Sequence, residues 1–123
     1  MKVALYARVA TQDSDEQKGI VSQIEALRAH ASKQRHGVVE DYVCCDAGYS
    51  GVSLDRPGLI QLRHGVQAKA FDAVLILSPD RLSRNCADLI RILEEFERSA
   101  MHIVFVEQGL KMPLLSRGVA AIS

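Results

Sequence analysis

The segment Val3-Ala-Leu-Tyr-Ala-Arg-Val9 decides the fold. It is short, apolar and rich in β-forming residues, so it predicts a buried strand. Three further segments of strand character, 38–45, 73–77 and 102–106, alternate along the chain with segments of helical periodicity. This alternation predicts an α/β fold with a mostly parallel sheet of four to five strands and helices on both faces.

The helices between these strands are predicted from apolar spacing and from end signals. The first runs over residues 20–35 and follows a polar loop over residues 11–19. Asp55-Arg-Pro57 is typical of the start of a second helix, because proline is favoured in the first turn. Residues 78–84 are predicted to be a loop, after which Asn85 can cap a third helix.

The composition suits one ordinary globular domain. The chain has 123 residues, of which 48% are hydrophobic and 24% charged. Fifteen basic and fifteen acidic residues cancel, whereas a domain that grips DNA by itself usually carries a basic excess. The chain has few aromatic residues and no Trp, which disfavours a base-stacking surface. The balance still permits a catalytic module that another domain delivers to DNA.

Cysteine and histidine positions predict neither disulfides nor a metal site. Cys44, Cys45 and Cys86 are odd in number and lack framework spacing, which indicates a reducing, cytoplasmic location. The two adjacent cysteines should face opposite sides of a strand. The four histidines are scattered without ligand spacing. The apolar start is interrupted by Arg8, and no apolar run is long enough for a membrane span, so neither a signal peptide nor a membrane segment is expected.

Arg8 is unusual because an arginine inside an apolar strand is costly to bury without a partner. One interpretation is a structural ion pair with Asp80 or Asp46. The other is a guanidinium group held ready for a phosphate, whose oxygens match its planar fork of donors. Sites in open α/β sheets form at the carboxyl ends of strands, so further arginines near such ends favour the phosphate interpretation. These arginines are Arg56, Arg81 and Arg84.

Ordered motifs over residues 3 to about 110 resemble the serine recombinases, a family of resolvases, DNA invertases, and large serine integrases and transposases. The motifs are Tyr6-Ala-Arg8-Val9, Gln23-Ile-Glu-Ala-Leu27, Asp46-Ala-Gly-Tyr-Ser-Gly51, Ser53-Leu-Asp-Arg56-Pro-Gly-Leu59 and Asp80-Arg81-Leu-Ser-Arg84 running into Asn85-Cys-Ala-Asp-Leu89. Gly48, Ser50 and Pro57 are more similar to the large integrases and transposases than to the small resolvases. The resemblance implies a resolvase-type catalytic domain over residues 1–110. It also implies that residues 111–123 are the truncated start of a long interdomain helix.

The resemblance further implies site-specific recombination of double-stranded DNA without a metal ion or another cofactor. In this family a serine hydroxyl attacks a backbone phosphate, and the protein becomes joined to the DNA 5′ end while a 3′ hydroxyl is released. Strands then exchange within a tetramer built from dimers. Arginines supply the charge stabilisation that metal ions give in other nucleases. DNA and further recombinase subunits are the expected partners, with no membrane partner.

The resemblance implies that arginine side chains bind the scissile DNA phosphate. Arg8, Arg81 and Arg84 would bind the scissile phosphate and stabilise its transition state. Arg56 would assist them. Asp80 would orient an arginine or manage the proton of the leaving group.

Four further residues would support this site. Asp46 would have a role similar to that of Asp80, and Ser53 belongs to the motif around the assisting arginine. Gln23 would hold the active-site loop or touch the DNA. Tyr6 would pack under the site with its hydroxyl bonded, or would be a plain core aromatic residue.

The nucleophile position is where the chain departs from the family pattern. The pattern on the first strand is Tyr-x-Arg-x-Ser, and here its last position is Ala10. A methyl group cannot attack phosphorus. Thr11 should face the other way and has a more hindered hydroxyl, and Ser14 is no better placed. The chain is therefore predicted to be inactive in DNA cleavage.

Two origins explain an alanine at this position. One is a designed Ser→Ala change, and the other is a natural, catalytically dead paralogue that acts as an assembly or regulatory module. The intact arginines favour the designed change, which a source gene encoding alanine at codon 10 would contradict. Other α/β classes fit less well. A receiver domain needs acidic residues where Arg8 stands, and a nucleotide-binding domain needs glycines in residues 10–14, which contain none.

Overall fold

The computed structural model describes residues 1–9, 14–48, 54–108 and 110–112. The strands are β1 (Lys2–Val9), β2 (Gly37–Ala47), β3 (Ala73–Ile76), β4 (His102–Phe105) and β5 (Leu110–Met112). The helices are α1 (Ser14–Lys33), α2 (Pro57–Gln67), α3 (Pro79–Leu82) and α4 (Cys86–Arg98), and a 3₁₀ turn covers Val106–Gln108.

The five strands form one sheet in the order β2-β1-β3-β4-β5. The first four run parallel, and β5 pairs antiparallel with β4 at the edge. β1 lies between two parallel neighbours, and its residues 3–9 are all buried. This confirms the predicted α/β fold with a mostly parallel sheet.

Helices cover both faces of the sheet, as predicted. Val3 and Leu5 of β1 pack with Leu27 of α1 on one face. Ala4 and Tyr6 point to the other face, where α2, α3 and α4 supply apolar side chains. Side chains that alternate along β1 therefore belong to two separate hydrophobic cores, one on each face of the sheet.

Two predicted loops are partly helical. α1 begins at Ser14, so the loop predicted over residues 11–19 is wrong from that residue onward. The polar segment has no apolar stripe, so the spacing of apolar residues does not reveal this part of the helix. α1 ends at Lys33, before the predicted end at Arg35, which has a positive φ of 60°. The loop predicted over 78–84 contains the four-residue helix α3.

The end of the sheet also differs from the sequence prediction. Leu110–Met112 form a strand, so the predicted long helix does not begin at residue 111. Residues 113–123 lie outside the described residues, and the helix there stays a prediction. Asn85 caps α4 as predicted, because its side-chain oxygen accepts the amides of Ala87 and Asp88 at 3.0 and 3.2 Å.

The cysteines behave as their strand position predicts. Cys44 is buried and Cys45 is exposed on the opposite side of β2, and all three cysteines are free. Burial raises the pKa of the Cys44 thiol to about 12. No helix in the part of the chain that the structure describes is long and apolar enough to cross a membrane.

Gly58 sets how closely α2 approaches β2. A Cβ atom at this position would lie 2.6 Å from the carbonyl oxygen of Cys45 and 3.0 Å from the Asp46 side chain. We expect Gly58→Ala to lower the free energy of unfolding by about 1–3 kcal/mol, because backbone must move to relieve the clash. Urea denaturation measures the change. Gly37→Ala is the matched control, since a Cβ there meets nothing within 4 Å. Equal stabilities of the two variants would contradict the prediction.

Candidate active site

The predicted site residues meet at the carboxyl edge of the parallel sheet. β1 ends just after Arg8, β2 ends just after Asp46, and β3 leads into α3. Arg8 and Asp46 are register partners on neighbouring strands. This is the edge at which open α/β sheets form their sites.

Arg8 is buried, with 1% of its surface exposed, and its guanidinium group binds α3. Its Nη2 donates to the carbonyl oxygen of Asp80 at 2.7 Å, and its Nε donates to that of Arg81 at 3.0 Å. Burial, and after it the neighbouring charge of Arg56, lowers the pKa of Arg8. Arg8 therefore contacts Asp80 through the backbone, where the sequence had suggested an ion pair with its carboxylate.

Gln23 holds the backbone of Arg8. Its Nε2 donates to the Arg8 carbonyl oxygen at 3.2 Å, and its Oε1 accepts the Arg8 amide at 3.4 Å. The pairing of β1 with β3 ends at Tyr6 and Ile76, so the Gln23 amide takes the place of a neighbouring strand. Arg81 adds a donor to the same carbonyl oxygen at 3.3 Å. The two roles predicted for Gln23, holding the active-site loop or touching the DNA, stay predictions.

Asp46 and Tyr6 form a buried network under the site. The Tyr6 hydroxyl donates to Asp46 Oδ2 at 2.7 Å. The same carboxylate accepts the amides of Gly58 and Leu59 at 2.7 and 3.0 Å, so it caps the first turn of α2. Burial, the largest effect, raises the pKa of Tyr6 well above its ordinary value, and the opposing charge of Arg56 does not cancel it. Tyr6 is thus a bonded residue of the network as well as a core aromatic residue.

Arg56 completes this network and faces inward. It is 1% exposed, its Nη1 donates to the Tyr6 hydroxyl at 3.0 Å, and its Nη2 donates to the carbonyl oxygen of Leu82. Its Nε is buried and has no hydrogen-bond partner among the described residues. These contacts place Arg56 beneath α3, where it supports the helix.

Arg8 and Arg56 together satisfy the carbonyl end of α3. A helix of four residues leaves its last carbonyl groups without helical partners. The two buried guanidinium groups bind three of them in succession, those of Asp80, Arg81 and Leu82. The pair is called the α3 clamp below. It fixes the backbone that carries Arg81 and leads into Arg84.

The remaining charged residues face solvent at the same edge. Arg81 is half-buried, and Arg84 and Asp80 are exposed. Both arginine charges lower the pKa of Arg8, so three guanidinium groups share one region. The Asp80 carboxylate accepts a hydrogen bond from the Ser78 hydroxyl, which is the main reason that the pKa of Asp80 lies below its ordinary value. Several fixed positive charges with open donors suit an anion with several oxygens, such as a phosphodiester.

Sequence reasoning missed two serines beside this cluster. Ser78 binds Asp80, and the buried Ser83 bonds with the backbone of Asn85 at the start of α4. Their sequence signal is weak, because serine is common in loops. Ala10 and Ser53 lie outside the described residues. In the described ranges, no three His, Cys, Asp or Glu side chains come together in a way that could hold a metal ion.

Comparisons with known proteins agree with this fold. The family described as "Resolvase, N terminal domain" matches residues 3–118. The Transposon Tn3 resolvase of Escherichia coli is 34% identical over 110 residues, which are 89% of this chain and 52% of the resolvase. The N-terminal catalytic domain of TP901-1 integrase superposes with a TM-score of 0.84 at 29% identity, covering 98% of this chain and 86% of that one. The C-terminal catalytic domain of ISC1926 TnpA, an IS607-like serine recombinase, gives 0.78 at 32% identity, covering 86% and 70%.

The fold is that of a resolvase-type catalytic domain. The chain belongs to the resolvase N-terminal domain family, as its match over residues 3–118 shows. It spans about half the length of the Tn3 resolvase.

Tyr6→Phe tests the buried network. Removal of the hydroxyl leaves one oxygen of Asp46 and one nitrogen of Arg56 with fewer partners, so we expect the free energy of unfolding to fall by about 1–3 kcal/mol at pH 7. Chemical denaturation measures it. Tyr42→Phe is the matched control, because the ring of Tyr42 packs on Phe71 and no hydrogen bond of its hydroxyl to the described residues is found. A loss as small as that of the control would contradict the network.

The same pair of proteins gives a pH signature. The folded state raises the pKa of Tyr6, so its contribution is complete below the unfolded pKa of about 10 and is lost as pH rises above it. The stability difference between the wild type and Tyr6→Phe should therefore shrink above about pH 10. A difference that stays constant to pH 11 would show that Tyr6 ionises normally in the folded chain.

Proposed function

We propose that this domain carries the strand-transfer site of a site-specific DNA recombinase that joins itself to DNA through a 5′-phosphoserine. Residue 10 is the nucleophile position, so the chain with Ala10 does not cleave DNA. The α3 clamp is the observation that carries the proposal. It holds the backbone of Arg81 against Arg8, two residues before position 10, and the charge of Arg84 also acts on Arg8.

The arrangement suits phosphoryl transfer by positioning and charge stabilisation. Arg81 and Arg84 offer donors at the surface, where a DNA phosphate has access. Arg8 adds charge from beneath them while its described contacts hold α3. Fixed guanidinium groups stabilise the charge of the transition state without reorganising, as metal ions do in other phosphoryl-transfer enzymes.

The family and the charge balance support double-stranded DNA as a partner that is reached through a further domain. The net charge of zero gives little general affinity for phosphates. The matched residues are 52% of the Tn3 resolvase. Assembly of a bacterial or phage-encoded recombinase into dimers and a synaptic tetramer at DNA in the cytoplasm belongs to the same proposal.

The alanine at position 10 has the two origins given above, and we propose the designed change. Its support is that the other site residues of the family pattern are present. In the described part of the chain, Arg8, Arg56 and Asp46 also make hydrogen bonds to the backbone of neighbouring elements.

Restoring the serine tests this function. The chain and its Ala10→Ser variant are each fused to a DNA-binding domain of known specificity and incubated with duplex DNA that carries the matching sites. On a denaturing gel we expect only Ala10→Ser to form a covalent adduct with a DNA 5′ end, because a methyl group at position 10 cannot attack phosphorus whereas a hydroxyl group there can. An adduct with the alanine form would assign the nucleophile to another residue. Absence of the adduct from both forms, with DNA binding intact, would contradict the proposal.

The surface arginines can be tested in the Ala10→Ser background. Arg84→Ala should reduce the rate of adduct formation roughly 10²–10³-fold, the size expected for one donor to a developing charge. Arg98→Ala is the control, because Arg98 is also exposed but lies at the far end of α4. Equal rates for the two variants would remove Arg84 from the site.

A further inference from the structure

The hydrogen-bond partner of the Asp80 carboxylate is a serine hydroxyl, although two arginines lie close to it along the chain. It lies on the same short segment as Arg81 and Arg84, and both positive charges act on it and lower its pKa. Yet among the described residues no ion pair within 4.0 Å joins Asp80 to either arginine. Its side-chain partner is the Ser78 hydroxyl, whose Oγ lies 2.5 Å from Asp80 Oδ1.

Among the described residues, the Ser78 hydroxyl makes no side-chain hydrogen bond other than the one to Asp80. Ser78 is the N-cap residue of α3, where a serine oxygen usually accepts a helix amide. Here the side chain makes no cap hydrogen bond, and the Arg81 amide instead donates to the Ser78 carbonyl oxygen at 3.2 Å. The Ser78 hydroxyl therefore donates its hydrogen bond to the Asp80 carboxylate and accepts none from the helix end.

An ion pair in place of this bond would change the arginine cluster. A carboxylate binds a guanidinium group through the donors that a phosphate also uses. An Asp80 side chain turned towards Arg81 or Arg84 would occupy those donors and cancel one positive charge. A short hydrogen bond to an ionised carboxylate is strong enough to hold the side chain in another orientation.

We propose that Ser78 is a positioning residue whose hydroxyl holds the Asp80 carboxylate off Arg81 and Arg84, so that both guanidinium groups stay open to a phosphate. The inference deepens the proposed function, since it rests on these two arginines as the phosphate site. It concerns the free protein and does not depend on the residue at position 10.

Inorganic phosphate is the probe, titrated into the ¹⁵N-labelled chain while the Nε–H resonances of Arg81 and Arg84 are followed by NMR. Ser78→Ala should weaken phosphate binding by roughly two- to fivefold, the size of an exposed ion pair that the phosphate must displace. Ser78→Thr keeps the hydroxyl and should bind phosphate like the wild type. Unchanged binding by Ser78→Ala would overturn the proposal.

Removal of the Asp80 charge separates positioning from a plain structural effect. In the Asp80→Asn background, Ser78→Ala should no longer weaken phosphate binding, because no carboxylate is left to compete. An equal loss in both backgrounds would overturn the proposal. If phosphate leaves both arginine resonances of the wild type unchanged, the assigned phosphate site fails and this inference fails with it. A normal wild-type response with no effect of Ser78→Ala refutes the role of Ser78 alone.

Discussion

The arrangement of the site depends on two buried guanidinium groups that bind the carbonyl end of a four-residue helix. Arg8 and Arg56 are each 1% exposed, and burial of a charged group is costly unless its donors are used. The carbonyl groups at the end of α3 equally need donors. The guanidinium donors bind the free carbonyl groups, so both needs are met, and a helix too short to be stable alone is held in one place. The positions of Arg81 and Arg84 depend on this contact, because Arg81 lies on α3 and Arg84 follows it.

The rest of the sheet edge supports the clamp from below. Asp46 ends β2, caps α2 and accepts the Tyr6 hydroxyl, and that hydroxyl in turn accepts a hydrogen bond from Arg56. Gln23 of α1 fixes the backbone of Arg8 where strand pairing has ended. Three elements therefore converge on two arginines. The sequence motifs group these residues as one catalytic set. In the structure they form two layers: an inner layer that holds α3 in position, and an outer layer that faces DNA in the proposed function.

Much of this could be predicted from the sequence, for physical reasons. β1 is a continuous apolar run, and Asn85 has the chemistry of a helix cap, so both were predictable. The start of α1 was not, because residues 14–19 lack an apolar stripe and are helical nevertheless. The clamp was not predictable either, because the residue type says nothing about which backbone carbonyl lies nearby. An arginine in an apolar strand signals that a partner exists. The sequence left a carboxylate and a phosphate open as that partner and favoured the phosphate, whereas the described contacts of Arg8 include the backbone carbonyl oxygens of Asp80 and Arg81.

The α3 clamp can be measured directly by ¹⁵N NMR of the arginine side chains in the free chain. Guanidinium groups that are buried and hydrogen-bonded exchange their protons slowly, whereas an exposed group exchanges quickly. The structure predicts slow exchange and hindered rotation for Arg8 and Arg56, and rapid exchange and averaged signals for Arg84. If Arg8 and Arg56 exchange and rotate as fast as Arg84, the clamp does not exist in solution, and the positions of Arg81 and Arg84 have another cause.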